Sequence, residues 1–400
     1  MRTTRWAAAL LSAALIAALF TACAQQALLP YPPGPMPDAE AIETPGTEAP
    51  STGVPGTEVP GAEVPGAEAS EAAASPALPQ AHVEAARHLS AWAVYWDTGD
   101  VIAELEALGA EEQLEALCYF EAFFDSRGSL VLPEGIPPLY QAVQARFPAA
   151  EWTSYLTFVN DLQDDAGQFS LKDTGLLWAL LGTDEALFGH VESVIALAKA
   201  QGFDGVEIDY ESIRKDFDLW ERFFAFCSAL YTRTQEEGLA LRVLVEPNTP
   251  FESLAFPPGP TYVMMCYNLH GSHSGPGPKA DAAFIQKLIA QMAALPGRKD
   301  FAIATGGYDW CKDEAKQLTE EAAVKLAAEH RVSPKRDAAN RALSFLYNDE
   351  AGRRHEVWYA DRETLDSWAA VIRENGGEGI SIWRLGGNLN AAQWSHRTGG

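Results

Sequence analysis

Phe203-Asp204-Gly205-Val206-Glu207-Ile208-Asp209-Tyr210-Glu211 decides how the rest of the chain is read. Successive side chains of a β-strand point to opposite faces. Glu207, Asp209 and Glu211 therefore share one face, and Val206, Ile208 and Tyr210 share the other. The second set is apolar and suited to contact with helices, so the acids must look inward, toward the axis of a closed sheet. A solvated edge strand would not carry so apolar an outer face. Three carboxylates on consecutive inward positions are costly to bury and repel one another, which marks them as candidates for chemistry.

Working outward, further short apolar runs read as strands: Trp92–Trp96, Ala116–Phe120, Ser154–Val159, Gly205–Asp209, Leu241–Val245, Tyr262–Tyr267, Phe301–Thr305 and Gly379–Trp383. Amphipathic stretches such as Asp184–Gln201 and Phe217–Glu237 lie between most of them. Strands alternating with helices in this way predict an α/β chain folded as a (β/α)8 TIM barrel. No Gly-x-Gly-x-x-Gly follows the first strand, which argues against a dinucleotide-binding sheet. The interval from Tyr308 to Gly376 exceeds one crossover helix, so a small insertion is expected between strands seven and eight.

The barrel is expected to occupy residues 86–400, with two different segments before it. Residues 1–22 read as a signal peptide: Arg2 and Arg5 precede an apolar run from Trp6 to Phe20, too short for an ordinary membrane-spanning helix. The run ends in Phe20-Thr21-Ala22-Cys23, which resembles the lipobox of bacterial lipoproteins, with Phe20 in place of the usual Leu. That resemblance implies acylation of Cys23, an anchor in the cell membrane and an extracytoplasmic location. From Cys23 to residue 85 a spacer follows, rich in Pro, Gly, Ala and Glu, with repeats such as Val54-Pro55-Gly56-Thr57-Glu58. Such a segment cannot bury enough apolar surface to offset its ordering entropy. Cys118, Cys227, Cys266 and Cys311 are far apart, without metal-ligand spacing, and are expected as buried free thiols.

The acidic strand resembles the Asp-x-x-Asp-x-Asp-x-Glu signature of family 18 glycoside hydrolases. Asp204, Glu207, Asp209 and Glu211 occupy its four positions, with Glu207 replacing an Asp. Met265-Cys266-Tyr267-Asn268 resembles that family's sixth-strand Met-x-Tyr-Asp, with Asn268 for the Asp, and Trp383 resembles its eighth-strand tryptophan. His355-Glu356-Val357-Trp358-Tyr359 is similar to the insertion of the subgroup that includes spore-cortex-lytic N-acetylglucosaminidases. The resemblance covers about Leu89 to Trp394. It implies a substrate-assisted mechanism, outside the usual two-carboxylate scheme. Glu211 is then the proton donor, Asp209 holds the acetamido N–H, Glu207 holds Asp209, and Tyr267 orients the acetamido oxygen. Asn268, Trp383 and Met265 are the implied substrate-binding residues. Asp204 has the opposite parity from Glu211 and is expected to hold the strand.

The implied substrate is a β-1,4-linked N-acetylglucosamine glycan, of the peptidoglycan type first, with chitin or the N-glycan core as other outlets. A sugar-binding surface lipoprotein that does not cut is the alternative; lectin-like members of the family usually lose the acid equivalent to Glu211, which is present here. Trp383 and Tyr267 also have a plainer reading as barrel core, as do Trp96, Trp178, Trp310 and Trp358, further candidates for stacking on sugar. Glu121 and Glu246 end strands two and five, are candidates to line the cleft, and are left without a role. The formal net charge of -26 excludes nucleic acid as a natural partner. No cofactor is expected, and no metal, since His355 has no partner at ligand spacing.

Overall fold

The computed structural model describes residues 88–390 except Asp313. The expected signal peptide 1–22, the expected lipidation site Cys23, the expected spacer 23–85 and Trp394 lie outside the described residues.

Eight parallel strands close on themselves as the sequence predicts: β1 (His88–Val94), β2 (Leu114–Asp125), β3 (Thr153–Gln163), β4 (Gly205–Asp209), β5 (Ala240–Val245), β6 (Thr261–Met265), β7 (Lys299–Ala304) and β8 (Gly379–Trp383). Each pairs with its neighbours in chain order, and β8 pairs with β1 to complete the ring. The chain is an α/β protein with a (β/α)8 barrel. Strand ends differ from the sequence reading in places. Trp96 falls in a 3-10 turn, Tyr95–Asp97, and Tyr267 lies beyond the end of β6. β2 and β3 run several residues past the expected limits, because short antiparallel strands at Leu130–Val131 and Phe169–Ser170 pair with their far ends.

Helices α1 (Thr98–Leu108), α2 (Ile136–Arg146), α3 (Thr174–Leu181), α4 (Asp184–Gln201), α5 (Phe217–Glu237) and α6 (Ala282–Met292) cover the outside. The limits of α4 and α5 are those of the amphipathic runs, and their caps explain why. Thr183 and Asp216 accept hydrogen bonds from the backbone N–H groups of Ala186 and Leu219, and both helices end on a left-handed glycine, Gly202 and Gly238. Between β5 and β6 the only helical element among the described residues is the 3-10 turn Phe251–Ser253.

The expected insertion begins earlier than Tyr308. From Gly306 to Ala360 the chain builds a five-stranded antiparallel sheet, ordered Glu314–Leu318, Gly306–Cys311, Arg354–Ala360, Leu343–Asn348, Lys335–Arg336. Helix α7 (Glu320–Glu329) packs on it, and α8 (Arg362–Glu374) then returns the chain to the barrel. The segment His355–Tyr359 lies on the central strand of this sheet.

Side-chain alternation sorts the core into two compartments. Val206, Ile208 and Tyr210 pack outward beneath the helices, while Trp92, Cys118, Tyr155, Leu244, Val263, Met265 and Ala302 fill the barrel's interior. All four described cysteines are buried free thiols. The interior floor is polar. Arg242 of β5, 2% exposed, donates from Nε to Glu207 Oε2 at 2.8 Å. Its Nη1 reaches Asp300 Oδ2 at 3.2 Å and Ser90 Oγ at 3.1 Å, and its Nη2 reaches Ser381 Oγ at 3.1 Å. One cation thus neutralises two buried carboxylates from β4 and β7 and ties them to β1 and β8. Gly379 fits this network for lack of a side chain: a Cβ there would stand 1.8 Å from Asp300 Oδ1.

Removing one partner of a buried ion pair leaves an uncompensated charge, at a cost of about 3–5 kcal/mol. Arg242→Met strands the buried Glu207 carboxylate, while Asp300 keeps Arg298 Nε at 3.1 Å, and is expected to destabilise the barrel by about that much. Urea unfolding followed by circular dichroism checks it, and a loss below about 1 kcal/mol would contradict the assigned role.

Candidate active site

The acidic strand ends where the barrel opens. Tyr210 anchors it from outside: its hydroxyl lies 2.7 Å from His190 Nε2 on α4, within a stack that includes Phe226. Burial drives the His190 pKa down to about 3, so the imidazole is neutral in this contact. On either side of Tyr210, Asp209 and Glu211 face the cavity. Glu211 lies beyond the last strand residue, where no ladder hydrogen bonds hold it. The Asn160 side chain replaces them, accepting from Glu211 N at 2.9 Å and donating to Glu211 O at 3.2 Å.

The cavity holds about 170 Å³ and gathers side chains from most of the strand ends. Asp209, Glu211, Met265, Tyr267, Asn268 and Trp383 all line it. Six of the seven residues assigned from sequence to catalysis or substrate binding therefore meet in one place. Trp383 sits at the aromatic end, its ring centroid 4.7 Å from Phe120 and 5.8 Å from Trp92, both edge-on. Trp96 joins that wall. Trp178, Trp310 and Trp358 do not line the cavity, and their indole N–H groups donate to Asp216, to Gly271 and Ser274, and to Glu356.

Glu207 is the exception. It is fully buried, and its oxygens accept from Trp92 Nε1 at 2.6 Å, Thr157 Oγ1 at 2.8 Å and Arg242 Nε at 2.8 Å, with the Cys118 thiol at 3.3 Å. These donors occupy the carboxylate that was expected to hold Asp209 by hydrogen bonding. Its influence on Asp209 is through space, as one of several negative charges. Asp204 accepts from Ser154 N at 3.0 Å and so holds the strand, as its parity implied.

Asp209 Oδ1 is buried without a hydrogen-bond partner among the described residues. Burial first, and then the charge of Glu211, push the Asp209 pKa well above the usual carboxylate range. Asn268 Oδ1 is likewise buried and unpartnered, on a residue held in the left-handed region at φ 64°. Lys172 and Ser212 adopt the same unusual backbone, at φ 54° and 64°. Non-glycine residues in this region cluster where surrounding structure over-determines them, often at functional sites.

Sequence reasoning did not find Lys172, Asn160 or Asp161, and left Glu246 and Glu121 without a role. Lys172 Nζ forms an ion pair with Glu211 Oε2. Burial works against the ammonium, but Glu211, Glu246 and Asp209 together raise its pKa and keep it charged. Asp161 Oδ1 accepts from Lys172 N at 2.8 Å, fixing the loop that carries the lysine. Burial lifts Asp161 to about 6. Glu246 accepts from Ser212 N at 2.7 Å. Burial and then the nearby charge of Glu211 raise its pKa to about 7. The only prior signals for these residues were a lysine after a strand and an acid at the end of β5, patterns too common to single them out.

The sequence pattern of the glycosyl hydrolases family 18 matches residues 179–388. A Bacillus subtilis protein named as a sporulation-specific glycosylase, YdhD, is 27% identical over 247 residues, 57% of each chain, so this chain spans little more than half of that relative. The cortical fragment-lytic enzyme of Bacillus subtilis is 25% identical over 346 residues, covering 78% of this chain and 73% of its own. Among solved structures, a chitinase from Chromobacterium violaceum superposes with a TM-score of 0.64 at 20% identity, over 77% of this chain and 96% of that one, a likeness of fold. With over half of its sequence matched, the chain belongs to family 18 of the glycosyl hydrolases.

Proposed function

We propose that the chain hydrolyses β-1,4-linked N-acetylglucosamine glycans with retention, using the substrate's own acetamido group. The observation that carries this reading is the meeting of Glu211, Asp209 and Tyr267 on one cavity wall beside Trp383. Glu211 donates its proton to the glycosidic oxygen as the C1–O bond breaks. The acetamido carbonyl oxygen bonds to C1 and gives an oxazolinium ion. The free Oδ1 of Asp209 accepts the acetamido N–H and offsets the positive charge, while the Tyr267 hydroxyl donates to the acetamido oxygen. Trp383 stacks on the apolar sugar face. Water then attacks C1 and returns a proton to Glu211.

Lys172 and Glu246 give this scheme a proton economy. Glu246, raised to about 7, is a proton-bearing neighbour of Glu211, and Lys172 stabilises the carboxylate left behind when Glu211 has given up its proton. The relatives' names favour a cell-wall glycan, with chitin as the neighbouring choice. A binder that does not cut is the second reading, since an ion-paired Glu211 is also compatible with a resting anion.

Oligosaccharides bearing N-acetyl groups are expected to be cut, and the same linkages without them to be inert; equal rates on both would refute substrate assistance. Glu211→Gln should fold normally and lose turnover by about 10²-fold or more, as expected for loss of a general acid. Product masses and anomeric configuration from chitin oligomers and peptidoglycan strands are the measurement, and intact binding with no cleavage by the parent chain would favour the second reading.

Glu246 should lose its proton as pH rises through about 7, the value to which it is lifted, so kcat/KM should fall there. Lys172→Met removes the cation that favours the ionised form, and the fall should then move to higher pH. A fall that stays in place, or moves to lower pH, would remove Lys172 from the assembly.

The chain is further proposed to be a lipoprotein, on the strength of the Cys23 motif and the spacer behind it. Cys23→Ala expressed in a bacterial host should leave the membrane fraction for a soluble one, and identical fractionation of the two forms would end that proposal.

A further inference from the structure

Lys279 has no part in the scheme above, yet it lines the same cavity and is 4% exposed. Its setting differs from that of the other cations there. Lys172 is paired with Glu211, and Arg384 with Asp97 Oδ2 at 2.5 Å. Lys279 has no carboxylate partner among the described residues. Its Nζ donates to the Thr305 carbonyl at 2.8 Å and lies 5.5 Å from the centroid of the Tyr308 ring. An ammonium carries three N–H groups, so two remain for another acceptor. Leaving buried donors unsatisfied is costly, so the arrangement favours an acceptor brought by a ligand. Burial, and then the charge of Arg384, lower the Lys279 pKa to about 7, so an anion beside it would restore its full charge. In a chain of net charge -26, this isolation does not reflect a shortage of carboxylates.

The position is as informative as the pairing. Glu121 and Asp161 lie toward the ends of β2 and β3, Asp209 closes β4, and Glu211 and Glu246 follow β4 and β5. Lys279 and Arg384 follow β6 and β8, on the opposite arc of the ring. The cavity is thus divided into an acidic and a basic half, with Tyr267 and Trp383 among its walls. A glycan whose acetamido group sits at Asp209 would carry its neighbouring substituents toward the basic half.

We propose that Lys279 recognises a carboxylate borne by the glycan close to the cleaved linkage, so that the preferred substrate is an anionic N-acetylated glycan, such as one carrying O-lactyl ethers, over a neutral homopolymer. The inference rests on the hydrolytic reading above and narrows its substrate. One ammonium with two spare N–H groups suits a singly charged carboxylate. A phosphate dianion would bring a second charge against the acidic half.

The test uses the full chain and peptide-free strands of alternating N-acetylglucosamine and its 3-O-lactyl ether, with the lactyl carboxylates either free or converted to methylamides. The readout is the ratio of kcat/KM for the two forms within one protein, which cancels any general loss of activity. The parent chain should prefer the free acid about tenfold, and Lys279→Met should bring the ratio close to one. Lys279→Gln, which retains a donor for Thr305 without the charge, should behave as Lys279→Met and separates anion recognition from simple support of that carbonyl. A ratio near one in the parent, or an undiminished ratio in Lys279→Gln, overturns the proposal. Chitin oligomers serve as reference. If the parent cuts them but neither lactyl glycan, this inference fails alone; if it cuts none of the three, it fails together with the hydrolytic reading.

Discussion

A single guanidinium inside the barrel is the condition on which the remaining structure rests. Arg242 sits where solvent cannot reach, and it makes two buried carboxylates and two serines compatible with a closed interior. An isolated carboxylate in that position would be costly to keep ionised. Because Glu207 is satisfied there, β4 can carry acids at successive inward positions, and Asp209 and Glu211 can stand at the rim without unravelling the strand. The site's chemistry is built on top of a charge that the floor has already balanced. Such a network contributes less to net stability than to specificity of register: a slip of one residue along β4 would turn Glu207 outward and leave Arg242 with Asp300 as its one carboxylate.

Electrostatic division continues upward from that floor. Lys172 answers the acids at the ends of β2 to β5, with Asp161 and Asn160 holding the backbone on either side of the contact. These residues are close in space because β3 and β4 are adjacent strands, and not because they are close in sequence. The left-handed backbone at Lys172, Ser212 and Asn268 shows the same economy: three turns at the rim are held in an uncommon conformation so that their side chains or amides can be aimed at one volume.

What was legible in the sequence was whatever has a short period. Alternation along residues 203–211 gave the inward face, amphipathic runs gave α4 and α5 to the residue, and the spacing of acids gave three of the four groups on that strand their placement. Glu207 shows where this stops. Its parity placed it correctly in the barrel, but nothing local could say that Arg242, Trp92, Thr157 and Cys118 converge on its oxygens from four other strands and hold them from Asp209. Lys172 and Lys279 were missed, and Glu246 was named without a role, for the same reason: their significance is a matter of which charges they meet, and those partners are tens of residues away or, for Lys279, missing among the described residues. The insertion was found by its length alone, and its start at Gly306, directly at the end of β7, was hidden because the strand and the sheet that follows it have the same alternating character.

That inserted sheet has a consequence of its own. A closed barrel exposes no unpaired strand, whereas an open sheet of five strands has two borders where a foreign strand could add. Here the outer strands are Glu314–Leu318 and Lys335–Arg336. The first presents Glu314 and Lys316, and the second is only two residues long and wholly cationic. Short, charged border strands are the usual means by which natural sheets resist adding copies of themselves. The lobe therefore reaches out from the barrel to wall one side of the cavity without offering its neighbours a template, and the molecule can stay dispersed at high local concentration.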